Sequence, residues 1–165
     1  MVDSIVDALV TLFGSTIPKE LTVFVISLLP VLELRGGLIA ARVLEMNVWS
    51  AFFFCFIGNM LPIPFILLFI RKIFDWMRKW KHFGKIIIKM EAKAEKHRGT
   101  IEKYGIWGLL ILVAIPLPGT GAWTGALVAA IMDIRIRRAL PVIALGVIIA
   151  GLIVGGISFG LFAKV

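Results

Sequence analysis

The chain has 165 residues, 60% of them hydrophobic and 17% charged, with a mean hydropathy of +1.01. A soluble domain ordinarily carries about 25% charged residues, so too little polar surface is left to coat a water-soluble globule, and the wealth of Ile, Leu, Val and Phe excludes long disorder. Lipid is the solvent that fits, and the length fits one domain. The single Cys55 stands in an apolar run and reads as a packing residue. His82 and His97 lie in a charged stretch and make no zinc ligand set, so no metal and no cofactor is expected.

Taken in order, residues 1–16 place Ile5, Val6, Leu9 and Phe13 on one helical face, with Asp3 and Asp7 elsewhere. That predicts a short helix on the membrane surface. It is not a signal peptide, because the two aspartates stand where a basic region belongs. Residues 17–45 are apolar but interrupted in the middle by Pro30 and by Glu33-Leu-Arg35-Gly36-Gly37. Two opposite charges at mid-depth are costly against lipid and must face protein or a cavity. A re-entrant hairpin with its tip at 30–37 supplies such a place. Glu33 and Arg35 would diverge on a helix but can converge on a ligand in a loop. Residues 46–70 hold 25 positions without a charge and predict the first transmembrane helix. Asn59, Pro62 and Pro64 interrupt it, and Asn59 is a candidate polar contact to the hairpins.

Residues 71–103 carry eleven basic against four acidic side chains, a net +7 of the chain's +8. Ile73, Met77, Trp80, Phe83, Ile87, Met90 and Ala94 recur at a spacing of three to four, while Lys81, Lys85, Lys89, Lys93 and Lys96 fill much of the other surface. This is a basic amphipathic helix suited to an anionic inner leaflet. Residues 104–133 form a second apolar stretch, broken at Ile115-Pro116-Leu-Pro118-Gly119-Thr120-Gly121. Residues 139–163 predict the second transmembrane helix.

Charge decides how residues 104–133 lie. A full crossing would put Arg135, Arg137 and Arg138 on the side opposite the basic segment, against the positive-inside rule. A second re-entrant hairpin keeps both clusters cytoplasmic, with both termini outside. The pI of about 10.1 therefore reflects membrane topology, and no nucleic acid is expected. The predicted fold is an all-α integral membrane protein of the inner or plasma membrane, multi-pass. It is an inverted repeat of a re-entrant helical hairpin plus a transmembrane helix, with a cytoplasmic amphipathic basic helix. Pro30 pairs with Pro116 at an offset of 86, and Gly58 with Gly146 at 88. Inverted repeats with broken helices are the architecture of secondary transporters. Gly151, Gly155, Gly156 and Gly160 allow close helix packing, either internally or in a dimer. So small a chain has little lateral cover, which favours a homodimer.

Pro30-Val-Leu-Glu33-Leu-Arg35-Gly36-Gly37 and Pro116-Leu-Pro118-Gly119-Thr120-Gly121-Ala-Trp123-Thr124-Gly125-Ala resemble the two signatures of the small multidrug export family, itself similar to the DedA (SNARE-associated, VTT-domain) superfamily. The likeness covers roughly residues 15–163. It implies two opposed re-entrant hairpins and a transporter, proton-coupled, for an amphiphilic or anionic substrate such as undecaprenyl phosphate. The acid of the DedA first hairpin maps to Glu33; their second-hairpin arginine has no counterpart here. The expected substrate- and proton-binding set is Glu33, Arg35, Gly36, Gly37, Asn59, Pro116, Pro118, Gly119, Thr120, Gly121, Trp123 and Thr124. Low dielectric favours a neutral carboxyl, which suits Glu33 to carrying protons. Arg35 offers a bidentate fork to a phosphate or carboxylate. The expected partners are membrane lipids, protons and the small substrate. Export of hydrophobic drugs is the close alternative, and a non-transporting lipid-binding scaffold is the alternative of another class. No catalytic residues are expected, because no nucleophile–base pair, paired carboxylates or cysteine partner is present.

Overall fold

The computed structural model describes residues 17–78, 103–117 and 119–160, with isolated positions at 8, 10, 11, 88, 92, 95 and 99; at 71 and 73–78 it describes the backbone alone. The expected surface helix at 1–16, most of the expected basic helix at 71–103, and Pro118 fall outside the described residues. Seven helices run through what is described: α1 Lys19–Leu28, α2 Glu33–Val43, α3 Val48–Met60, α4 Ile63–Arg78, α5 Ile106–Ala114, α6 Ala122–Ile131 and α7 Ile136–Ser158. The all-helical character expected from the sequence holds among these residues.

Two stretches are long and apolar enough to cross a membrane: Val48–Ile70, comprising α3 and the start of α4, and α7. Their most apolar windows have mean hydropathies of 2.3 and 2.6 and are only 22% and 39% buried. Trp49, Phe53, Phe65, Leu68, Leu152 and Ile157 are all exposed. Such helices are no soluble core; their bare apolar faces require lipid. The expected span at 46–70 differs in detail. Leu61–Pro62 separates α3 from α4, and residue 70 ends no helix, since α4 runs on to Arg78. The four helices α1, α2, α5 and α6 have 9 to 11 residues, roughly 14–17 Å at 1.5 Å per residue, about half of a bilayer core.

The chain divides into two compact units, residues 1–62 with 147–165, and residues 63–146. In the first, α1, α2 and α3 pack on one another. Lipid supplies no hydrophobic drive between helices, so contact rests on close approach of backbones. Glycine provides it. A β-carbon on Gly37 would run into Ser27 Oγ and lie 2.7 Å from Cys55 Sγ, and one on Gly58 would strike the carbonyl oxygen of Phe24. Gly151 of α7 meets Phe52 and Leu34 in the same way, so this part of the small-residue stripe serves internal packing. The ends are closed by local chemistry. Asn47 Oδ1 accepts from the Trp49 amide at 2.9 Å and caps α3. Glu45 takes a left-handed conformation (φ 52°), and the Met46 amide reaches back to the Ala41 carbonyl at 3.0 Å, ending α2.

In the second unit α6 packs on α4 and α5. Val113 of α5 is approached by glycines from two helices: β-carbons on Gly125 and Gly146 would lie 2.5 and 2.7 Å from it. The end of α6 repeats the closure of α2. Asp133 is left-handed (φ 57°), and the Ile134 amide donates to the Ala129 carbonyl at 2.9 Å.

Candidate functional site

The polar atoms of the first unit gather where α1 gives way to α2. Helix α1 stops at Leu28 because Leu29 turns extended and Pro30 follows, which carries no amide hydrogen. The chain then recovers quickly. Glu33 N donates to the Leu29 carbonyl at 2.9 Å, and Gly36 N to the Leu32 carbonyl at 2.8 Å, so α2 begins at once. The break is therefore residues 29–32, not the longer 30–37 loop expected from the sequence. Gly36 and Gly37 are helical and buried; Gly37 is there for the contact with Ser27 and Cys55, not for a bend.

Glu33 and Arg35 thus stand on the first turn of a helix rather than in a loop. Glu33 is 6% exposed and Arg35 half-buried, and the two interact electrostatically. Glu33 also holds a left-handed backbone (φ 52°). That conformation costs an L-residue with a β-carbon about 1–2 kcal/mol. Strain of this kind persists where the surroundings or the function demand that residue.

Thr22, Ser27 and Asn59 are the other buried polar residues of this unit, each at most 1% exposed. Thr22 Oγ1 donates back to the Pro18 carbonyl at 3.2 Å and is satisfied. Ser27 Oγ has no hydrogen-bond partner beyond the weakly bonding thiol of Cys55 beside it, and Asn59 Oδ1 has none. Asn59 was expected as a polar contact. Ser27 was not; a lone serine in an apolar run gives little sequence signal, though it falls one turn before Pro30.

The second unit holds the other expected residues. Between α5 and α6 the chain passes Pro116 and the left-handed Gly119 (φ 86°) and Gly121 (φ 136°). Thr120 fastens this break: its hydroxyl lies 2.8 Å from both the Ile115 and Leu117 carbonyls and accepts from the Leu117 amide at 3.2 Å. Thr124, 5% exposed, donates to the Gly119 carbonyl at 3.1 Å. Trp123 is half-buried. Thr120 and Thr124 therefore hold backbone carbonyls of the break, a role in shaping it. Among the described residues no group of His, Cys, Asp and Glu is placed to hold a metal ion.

Half-length apolar helices broken at mid-segment, a buried acid beside an arginine, and two long lipid-facing helices define a helical membrane protein. The chain belongs to the family described as "Putative small multi-drug export protein", whose model matches residues 33–153. Searches of curated proteins and of solved structures gave no match.

Proposed function

We propose that this chain is a proton-coupled transporter that exports small hydrophobic or amphiphilic compounds across the cell membrane, with Glu33 as the proton carrier. The observation that carries the reading is Glu33 itself, an acid buried in an apolar unit and held in a strained conformation at a helix break. An ionisable residue at membrane depth marks a substrate or ion path by default.

An internal repeat supports the reading. Displaced by 88 residues, the left-handed Glu33 falls on Gly121, Gly37 on Gly125, the left-handed Glu45 on Asp133, the start of α3 at Val48 on the start of α7 at Ile136, and Gly58 on Gly146. In this register Pro30 falls on Pro118, two residues from the pairing expected from the sequence. The strained position is glycine in the second half, as sterics prefer, and glutamate in the first. The backbone does not ask for glutamate there, so its carboxyl is kept for chemistry. Repeats of broken hairpins, inserted with opposite orientation, are the transporter architecture in which such a site works.

Arg35 favours a second reading. A half-buried guanidinium beside the acid suits a phosphate or carboxylate, and the likeness to the DedA superfamily then points to a lipid phosphate as cargo. Flux into proteoliposomes separates the two. Efflux of hydrophobic cationic dyes driven by a proton gradient supports drug export, and movement of undecaprenyl phosphate supports the lipid reading. Glu33→Gln is expected to abolish gradient-driven flux in either case. Arg35→Ala is expected to abolish the movement of the phosphate, and to weaken dye efflux without abolishing it, since charged Glu33 then loses the guanidinium beside it. Full activity of Glu33→Gln at matched expression overturns the assignment.

A further inference from the structure

We propose that Asn59 is the partner of protonated Glu33: its side-chain carbonyl accepts the carboxylic O–H when Glu33 is neutral, while Arg35 holds the carboxylate when Glu33 is charged. The inference rests on the proton-carrier reading above and names the group that receives the proton-loaded form.

The placement follows from helix register. Helices α2 and α3 are joined by the four residues 44–47 and pack on each other, so they run in opposite directions. Gly37 touches Cys55 across that interface. Residues four apart share a helix face. One turn from Gly37, toward the break, stands Glu33; one turn from Cys55, in the same direction, stands Asn59. Both are buried, and Asn59 Oδ1 lacks a donor. A buried carbonyl without a donor is costly. A carboxylic acid is the donor that removes this cost, and it can do so only when protonated.

The other half of the chain shows that packing does not require these groups. At the 88-residue offset, Ser27, Glu33, Arg35, Cys55 and Asn59 correspond to Ile115, Gly121, Trp123, Ile143 and Val147. Of these, Ile143 stands 3.9 Å from where a Gly125 β-carbon would be, as Cys55 stands against Gly37. At these five positions the ionisable side chains belong to one half alone, which is what a single proton site needs.

Among the described residues of this unit, the groups around Glu33 that titrate or carry charge are few. Arg35 is on its own helix, and Cys55 is the titratable residue of α3. On α1, Lys19 and Glu20 are at the far end, where Lys19 Nζ donates to the Leu44 carbonyl at 2.7 Å. Arg42 and Glu45 share that end, and the part of α7 after Val147 has none. The proton therefore has two states of Glu33 to choose between, one paired with Arg35 and one bonded to Asn59.

The test is an infrared pH titration of the purified protein in lipid nanodiscs. The carboxylic C=O band of Glu33 is identified by its loss in Glu33→Gln. In the native protein the band is expected at the lower frequency of a hydrogen-bonded acid. In Asn59→Val, which installs the residue found at the equivalent position 147, the band is expected to move to the unbonded frequency. Half-protonation is expected to need roughly three- to tenfold more protons, the worth of one neutral hydrogen bond. Asn59→Thr, which restores an oxygen, is expected to recover part of the shift. Should Asn59→Val fail to fold, the native band frequency still decides: an unbonded position overturns the proposal. So does an unchanged band and midpoint in Asn59→Val, or a bonded band that survives there through water. The readout does not depend on flux. A failed transport assay with a normal infrared result rejects the exporter reading alone, and the reverse outcome rejects the Asn59 contact alone.

Discussion

Gly37 of α2 and Cys55 of α3 meet with no room for a side chain between them, since a β-carbon at 37 would lie 2.7 Å from the Cys55 sulfur and strike Ser27 as well. This contact locks three helices of the first unit together. Gly37→Ala is expected to destabilise it by about 1–3 kcal/mol, the usual cost of forcing extra volume into a packed site. Gly155→Ala is the control: its nearest neighbour, Leu38 Cδ1, lies 3.8 Å away, an ordinary contact. Thermal unfolding in detergent checks both. Equal melting temperatures for the two variants would refute this account of the packing.

Backbone strain gives the second prediction, and it separates stability from function. Glu33 and Glu45 share the same left-handed φ of 52°. Glycine adopts that region freely. Glu45 is exposed and sits where α2 ends, a place where glycine is favoured, so Glu45→Gly is expected to stabilise by about 1 kcal/mol and leave flux intact. Glu33→Gly is expected to relieve similar strain while abolishing gradient-driven flux. A Glu33→Gly variant that still couples to protons would remove Glu33 from the mechanism.

Much of this was legible in the sequence, for physical reasons that also explain what was not. The lipid solvent and the two long helices follow from hydropathy, which averages over many residues and tolerates local error. The helix breaks follow from Pro30, Pro116 and the glycines near them, because missing amide hydrogens and left-handed backbone leave few alternatives. The extent of the first break did not follow. Gly36 and Gly37 read as loop residues, whereas the Leu29 and Leu32 carbonyls catch the Glu33 and Gly36 amides and restart the helix before them. The offsets of 86 between Pro30 and Pro116 and of 88 between Gly58 and Gly146 differ by two, because a proline can occupy more than one place in a break. The glycines and the left-handed residues cannot move: Gly37 with Gly125 and Glu45 with Asp133 answer to contacts and chain reversal. Ser27 was missed because nothing but its burial marks it.

The second break should depend on two hydroxyls. Thr120 is fixed to Ile115 and Leu117, and Thr124 to Gly119. Thr124→Val keeps the shape and removes the part-buried bond to the Gly119 carbonyl, at an expected cost of about 1 kcal/mol. Thr124→Ser is expected to restore it. Amide exchange across residues 115–121 is expected to quicken in Thr120→Val and Thr124→Val and to stay slow in Thr124→Ser. Unchanged exchange in both valine variants would show that prolines and glycines alone shape the break.

Cys55 offers a measure of how the first unit opens. Its residue is 0% exposed, with Gly37 and Ser27 against the sulfur. A maleimide can reach it only if α2 or α1 separates from α3, a local opening with its own free energy. Val31, at 76% exposure in the α1–α2 break, is the contrast. In folded protein Cys55 is expected to resist a membrane-permeant maleimide, while Val31→Cys in a Cys55→Ala background labels rapidly. Gly37→Ala forces the helices apart, so it should speed the labelling of Cys55. Equal labelling rates at positions 31 and 55 in the native fold would mean that the α2–α3 contact is not closed. The register that places Asn59 opposite Glu33 would lose its anchor with it.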